Sequence, residues 1–320
     1  MKIAYLILAH NQPAHLSRLV KSLDNKNAEF IIHIDAKANI TDFFRYEFPE
    51  NAHFIEDRVE VNHGGFSLVR AMINLMNNAI KMDDFDYCQT LSGWDYPIKS
   101  NEFIYDYLYK HYPMNFLNFY RLTGHADFVE NIQKFYFTDT IGSAPRLFTK
   151  PLKVLQFFLK NCPFNRTFLS GITPFRGSTW FCLNKATLYY ITDYLNTRKG
   201  KNYTKYFKAV QCADEIFFHT IVLNSPFAEY CRFYSRDAHS HLRNENHAYL
   251  HYIDWDQSRE NPAILDLRDL PLLQQSPALY ARKFHEKKSS QLLNVIDHQR
   301  TTNNEEPISH QFAMRLSPVK

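Results

Sequence analysis

Glycine is scarce in this chain, eight residues in 320, and that scarcity removes two phosphate-binding devices. No Gly-x-Gly-x-x-Gly turn is present to carry a dinucleotide, and no Gly-x-x-x-x-Gly-Lys loop to wrap a nucleoside triphosphate. Dehydrogenase and P-loop kinase readings therefore fall away. The five cysteines, Cys88, Cys162, Cys182, Cys212 and Cys231, are odd in number and form no Cys-x-x-Cys pair. They argue against a disulfide framework and against cysteine-held zinc, and they fit a reducing compartment. A Gly-x-Ser-x-Gly elbow and a His-Glu-x-x-His helix are both missing, which lowers the hydrolase and metalloprotease readings. The helix-spaced pair His247 and His251 has no carboxylates arranged beside it as further ligands. No apolar run approaches the ~20 residues that cross a bilayer. A net charge of +4, from 37 basic and 33 acidic side chains, does not demand the phosphate-tracking surface of a nucleic-acid binder.

What is present is a globular composition, with 45% hydrophobic and 16% aromatic residues. At this length roughly 75% of the unfolded chain's surface can be buried without staples. The first hundred residues alternate strand-like and helix-like segments, the pattern of an α/β domain with a central, mostly parallel sheet. Ile3 to Ala9 reads as a first buried strand rather than a signal peptide, because it breaks at His10-Asn11-Gln12-Pro13 without a small-residue cleavage site. After Pro13, residues Leu16, Leu19, Val20 and Leu23 recur at helical spacing. Phe30 to Ile34 is a β-branched run that ends in Asp35, at the carboxyl end of a strand, where open α/β sheets bind ligands. A second helix follows Gly64-Gly65, and Tyr87 to Leu91 is a further strand, closed by Ser92-Gly93-Trp94-Asp95-Tyr96-Pro97. Residues 116 to 175 are irregular, aromatic and basic, and read as an insertion rather than a second domain. Gly177 to Leu183 returns to strand character, and the stretch from 286 to 320 reads as a polar tail.

Three constellations bear on chemistry. Two Asp-x-Asp triplets occur, Asp84-Phe85-Asp86 and Asp254-Trp255-Asp256. The first precedes its strand, the wrong end for a metal-diphosphate site; the second follows a strand expected over Ala248 to Ile253 and is either a ligand pair or a solvated turn. Asp214-Glu215 stands before the apolar run Ile216-Phe217-Phe218. Such a pair commonly caps a helix, and a carboxylate at the edge of an aromatic pocket serves equally well as a general base. Arg259, Arg282 and Lys283 lie among apolar residues, where a snorkelling structural cation and a diphosphate-binding one look alike.

Taken in order, these segments resemble glycosyltransferase family 14, which contains the core 2 and I-branching β-1,6-N-acetylglucosaminyltransferases and the peptide O-xylosyltransferases. The carriers are Ala9-His10, His33-Ile34-Asp35, Gly64-Gly65-Phe66-Ser67-Leu68-Val69 and the run Leu91 to Asn101. Gly177-Ser178-Thr179-Trp180-Phe181, Asp214-Glu215-Ile216-Phe217-Phe218-His219-Thr220, Tyr252-Ile253-Asp254-Trp255 and Ala281-Arg282-Lys283-Phe284 complete them. The resemblance runs in register from about residue 3 to residue 285, a single glycosyltransferase domain with 116–175 as its acceptor-side insertion.

The resemblance implies a Rossmann-like, nucleotide-sugar-binding glycosyltransferase fold of the A type, inverting transfer from a UDP-sugar, and no cofactor or divalent metal. The family's catalytic glutamate falls on Glu215. Its diphosphate lysine falls on Lys283, with Arg259, aligned across a one-residue gap, as the partner arginine. His10 and Asp35 fall on the nucleoside side, and Trp94, Asp95, Trp180, Asp214 and Trp255 around the donor and acceptor sugars. The tyrosine that follows the last tryptophan by two positions in the mucin-type enzymes is Gln257 here, so the acceptor need not be shared.

N-acetylglucosamine is the first donor expected and xylose the second, with a non-catalytic sugar-nucleotide or glycan binder as the reading of another class. The membrane anchor and paired cysteines of the animal members have no counterpart here, so the expectation is a bacterial-type, cytoplasmic enzyme of surface polysaccharide synthesis, acting on a carbohydrate or lipid-linked glycan. Arg146, Lys150, Lys153 and Lys160, interleaved with apolar residues, suggest a basic amphipathic helix. It either packs on the domain or docks peripherally at the inner face of a membrane.

Overall fold

The computed structural model describes residues 1–231, 250–256, 258–259 and 262–302. Its first half runs β1 (Ile3–Ala9), α1 (Pro13–Leu23), β2 (Ala28–Ile34), β3 (Ala52–Phe54), α2 (Phe66–Met82), β4 (Tyr87–Ser92), β5 (Asp95–Pro97) and α3 (Asn101–Lys110). Then follow β6 (Phe119–Arg121), α4 (Thr138–Gly142), α5 (Arg146–Asn161), β7 (Phe175–Gly177), β8 (Cys182–Asn184), α6 (Lys185–Asn196), α7 (Arg198–Phe207) and α8 (Phe217–Leu223). The last elements are β9 (His251–Ile253), α9 (Leu270–Gln275), β10 (Tyr280–Arg282) and α10 (Ser290–Thr302).

The main sheet has the order β3-β2-β1-β4-β8, parallel except for the antiparallel edge strand β8. β1 alternates its side chains between two cores, as the two-residue period of a strand requires. Ala4 and Leu6 pack with α2, α6 and α8 on one face; Ile3, Tyr5 and Ile7 pack with α1, α3 and α10 on the other. Burial of both faces explains why β1 reads as a continuous apolar run. The expected Rossmann-like α/β architecture is present, with helices on both faces of a mostly parallel sheet.

From β1 the chain builds outward through β2 to β3 and then crosses to β4 on the other side, so the order reverses between β1 and β4. A ligand crevice lies outside the carboxyl ends of the strands at such a point. The approach there is close: the Gly93 N–H donates to the Leu8 carbonyl at 2.8 Å, and a Cβ on Gly93 would stand 2.9 Å from the Ala9 Cβ. Two smaller sheets frame the crevice, β5-β10-β9 and β6-β7.

Three expectations change. The single strand read over Gly177 to Leu183 is two, because β7 pairs with β6 and β8 with β4, and the residues between them turn along the crevice. The insertion read over 116–175 is narrower, since Phe116, Leu117, Phe119 and Leu122 are core residues. The tail read from 286 folds as α10, whose Leu292, Leu293 and Ile296 are buried and whose Asp297 accepts from Arg18 and Tyr96 at 2.6 Å.

Candidate active site

A cavity of about 740 Å³ opens at the carboxyl ends of β1, β2 and β4. His10, Asp35, Trp94, Trp180, Asp214, Glu215, Trp255 and Lys283 all line it, so eight residues singled out from scattered motifs converge on one space.

The side nearest β1 and β2 is set by backbone. The Asp35 N–H donates to the Ala9 carbonyl at 2.8 Å, and the Asp35 carboxylate accepts from the Lys37 N–H at 2.8 Å and lies 3.9 Å from the Lys37 ammonium. His10 lies against Trp94, with ring centroids 6.5 Å apart at 27°. Burial lowers its imidazole pKa, which Asp35 only partly counters. His33, unforeseen from sequence as a wall residue, accepts the Val59 N–H on Nε2 at 2.8 Å. Burial lowers its pKa to about 4, so it stays neutral at physiological pH.

The cationic end rests on β10. In register, Arg282 faces Asp95 of β5 and Ile253 of β9, and the Arg282 guanidinium lies 3.2 Å from Asp95 and 4.4 Å above the Trp180 ring. The Lys283 ammonium stands 5.9 Å from the centre of the Trp94 ring. The adjoining Phe284 N–H donates to the Trp94 carbonyl at 2.8 Å, which holds the two residues side by side. Asp95, expected beside the sugars, has no exposed surface and lies beneath the cavity. It accepts from the Ser92 N–H and hydroxyl at 2.8 and 2.6 Å and faces His251 at 3.4 Å. Burial works to raise its pKa, but Arg282, His251 and Ser92 outweigh it and hold the carboxyl below its usual value. Asp95 is thus a buried anion that positions a cation in the wall, a task its short motif did not reveal.

Arg259 does not line the cavity. Its guanidinium donates to Asp254 at 2.9 Å, to both carboxylate oxygens of Asp269 at 2.7 and 3.1 Å, and to the Ile264 carbonyl at 2.6 Å. Those bonds brace the loop between β9 and α9, and the expected diphosphate role is not what this geometry shows. Arg282, one residue before Lys283, occupies the wall instead. The aspartate triplets serve locally: Asp84 pairs with Lys2, while Asp254 accepts the Asp256 N–H at 2.9 Å and Asp256 that of Ser258. His247 and Gln257 lie outside the described residues, as do Ala248 and Tyr249 of the strand expected to begin there.

The carboxylates line the same cavity. Asp214 and Glu215 sit in a tight turn before α8, and neither caps it. Asp214 is buried and accepts the Thr179 hydroxyl at 2.6 Å; burial first, then the neighbouring Glu215 charge, raise its carboxyl pKa to about 6. Glu215 remains 34% exposed at its side chain. Arg176 donates to its Oε2 from Nε at 2.8 Å and from an Nη at 2.5 Å, and reaches Asp127 with its other Nη at 2.6 Å. Burial opposes the charge on Arg176, yet the Glu215 and Asp127 carboxylates more than offset it and its pKa rises. Both Arg176 bonds to Glu215 fall on Oε2. Gly177 lets the chain pack closely here, since a Cβ there would collide with the Asn118 carbonyl and the His219 ring. Arg176 was missed from sequence, although it directly precedes the Gly177-Ser178-Thr179-Trp180 motif.

His10 and Asp35 at the strand ends, the cations Arg282 and Lys283, and the partly exposed Glu215 carboxylate thus share one cavity at the sheet's switch point. The family model described as Core-2/I-Branching enzyme matches residues 3–270, and the chain belongs to that family. Xylosyltransferase 1 of Rattus norvegicus is 26% identical over 93% of this chain and 35% of its own length. Xylosyltransferase 1 of Homo sapiens is 26% identical over 93% and 30%, and xylosyltransferase 2 of Canis lupus familiaris 25% over 93% and 33%. The chain spans about a third of these relatives. Among solved structures, S. aureus TarS 1-349 in complex with UDP-GlcNAc aligns over 44% of this chain and 42% of that one, at 13% identity and a TM-score of 0.28.

Proposed function

We propose that this chain is an inverting glycosyltransferase that moves a sugar from a UDP-sugar to a carbohydrate hydroxyl of a surface polysaccharide. The observation that carries the reading is the placement of Glu215 and Lys283 in one cavity with His10 and Asp35. His10 and Asp35 would hold the nucleoside at the ends of β1 and β2, and Lys283 with Arg282 the diphosphate. An acceptor hydroxyl beside Glu215 would lose its proton to the carboxylate as its oxygen attacks the anomeric carbon. The bond from that carbon to the diphosphate oxygen breaks in the same step, and its electron pair leaves with the diphosphate. Fixed cations aimed where that charge grows lower the barrier, which supports a transfer that needs no divalent ion. Arg176 fixes the rotamer of Glu215 and Asp214 shapes the floor beside it.

Two donors are carried forward. N-acetylglucosamine follows from the branching-enzyme motifs, and xylose is favoured by the names of the relatives. The test is UDP release from a donor panel with a mixed glycan pool, in EDTA and then in manganese. Release in EDTA with one preferred donor supports the reading and identifies the sugar. Release only with manganese overturns the cationic mechanism, and no release under either condition with any donor counts against the transfer itself.

A further inference from the structure

Among the described residues, nothing covers one apolar face of the helix α5. Its partly buried positions are Thr149, Leu152, Gln156 and Leu159, spaced three, four and three, which is the stripe turned toward the protein. No residue of the helix is buried outright. Leu147, Val154 and Phe158 fall on a second stripe with Phe148 and Leu155 beside it, and all five are exposed, Leu147 by 80% and Phe158 by 66%. Phe157, another exposed phenyl ring, lies on the far side among the cations.

The polar flank is of one sign. Arg146, Lys150, Lys153 and Lys160 are the helix's charged residues, and the segment 146–161 contains no aspartate or glutamate. Only Lys160 meets an acid of the domain among the described residues, Glu130 at 2.9 Å. Exposed apolar groups beside the cations Arg146, Lys150 and Lys153 are complementary to an interface with hydrocarbon below and negative headgroups above. A soluble apolar groove would match the leucines and phenylalanines but not the row of lysines.

The helix is tied to the rim of the cavity. Gln156 donates to the Phe135 carbonyl and accepts the Phe137 N–H, both at 2.7 Å, which ties α5 to the segment that leads into α4. In α4, Asp139 accepts the Ser67 N–H and hydroxyl at 2.8 and 2.6 Å, and Thr138 donates to Gln211 at 3.0 Å. Ser67 follows His63, which also lines the cavity, by four residues, and Gln211 precedes Glu215 by four.

From these observations we infer that α5 is a peripheral docking surface for an anionic lipid membrane, and that docking holds the donor cavity's rim next to the lipid. The enzyme then meets an acceptor carried on that surface. The inference concerns binding to lipid and is tested without donor or acceptor, so its outcome is separate from that of the transfer reading.

The experiment is co-sedimentation of the full chain with vesicles of phosphatidylcholine alone and of equal parts phosphatidylcholine and phosphatidylglycerol, at low and high salt. The expected result is binding to the anionic vesicles that weakens with salt. The double variant Lys150→Glu/Lys153→Glu should lose roughly thirtyfold or more in affinity, at about fivefold per cation at an anionic surface. Leu147→Gln/Phe158→Gln, at exposed positions, should lose binding while keeping its melting temperature. No binding to either vesicle, or binding that both variants retain, overturns the inference. Self-association abolished by Leu147→Gln/Phe158→Gln without vesicle binding overturns it in favour of a second copy.

Discussion

In one part of the cavity the functional side chains sit at the ends of paired strands, and in another they are held by ion pairs between segments far apart in the chain. His10 and Asp35 follow β1 and β2 directly and Trp94 lies two residues beyond β4, and backbone bonds such as Asp35 N–H to the Ala9 carbonyl set their positions. Glu215 is oriented by Arg176, 39 residues away, which Asp127 engages in turn. A wall made of strand ends is as stiff as the sheet beneath it. A wall made of charged side chains depends on each partner being present, so single substitutions should act differently on the two.

The sharpest contrast concerns chemistry. Glu215→Gln keeps the size and the Arg176 contact but cannot take a proton; turnover should fall by roughly 10²–10⁴-fold, the range of general-base catalysis, with donor affinity retained in calorimetry. Donor affinity lost along with turnover would place Glu215 in binding instead. Beneath the strand-end wall, Asp95→Ala leaves Arg282 and His251 facing an empty buried site. A buried pair deprived of one partner costs about 3–5 kcal/mol, to be read as a lower midpoint in urea; an unchanged midpoint would mean that β5 and β10 do not need the ion pair.

A smaller pair of effects separates the cations. Lys283→Ala should weaken UDP binding by roughly tenfold to a hundredfold, the worth of a charge-assisted hydrogen bond, at unchanged melting temperature. Arg259→Gln should do the reverse, lowering stability by about 1–2 kcal/mol through the loss of its bonds to Asp254 and Asp269, with UDP affinity within about twofold. A reversed pattern would return Arg259 to the diphosphate.

The smallest effect is in pH. The folded Asp214 carboxyl titrates near 6, above its ordinary value of 3.8, so between those values the folded state binds more protons than the unfolded one. Stability from this group is present below about pH 4 and is lost as pH rises to about 6. Asp214→Asn should flatten that slope in denaturation curves from pH 4 to 7, by on the order of 1–2 kcal/mol; an unaltered slope would assign it to other groups.

Legibility follows the same division. β1, α1, β2, α2 and β4 were readable because apolar period and turn residues are local properties. Asp35 was readable because it ends such an element, whereas His10, Trp94 and Lys283 were named through the resemblance of the motifs that hold them. α10 was read as tail because its three buried residues give a weak apolar stripe in a polar segment. β7 and β8 were read as one strand because nothing local shows that successive residues pair in different sheets. Arg259 and Arg282 were indistinguishable as cations among apolar residues, and only the partners around them, Asp254 and Asp269 in one case and Asp95 and Trp180 in the other, tell brace from wall.

The sequence by itself determined the α/β class and the direction of the first strands, because these depend on periodicity and turn residues, while the family and most of the side chains that meet in the cavity followed from the resemblance that its motifs carry. Tertiary structure alone decided which arginine stands in the wall, that Asp95 lies beneath it, that Arg176 holds Glu215, and which face of α5 is left uncovered. Each of these depends on a partner distant in the chain, and a charge or an apolar face takes its role from what folding places against it.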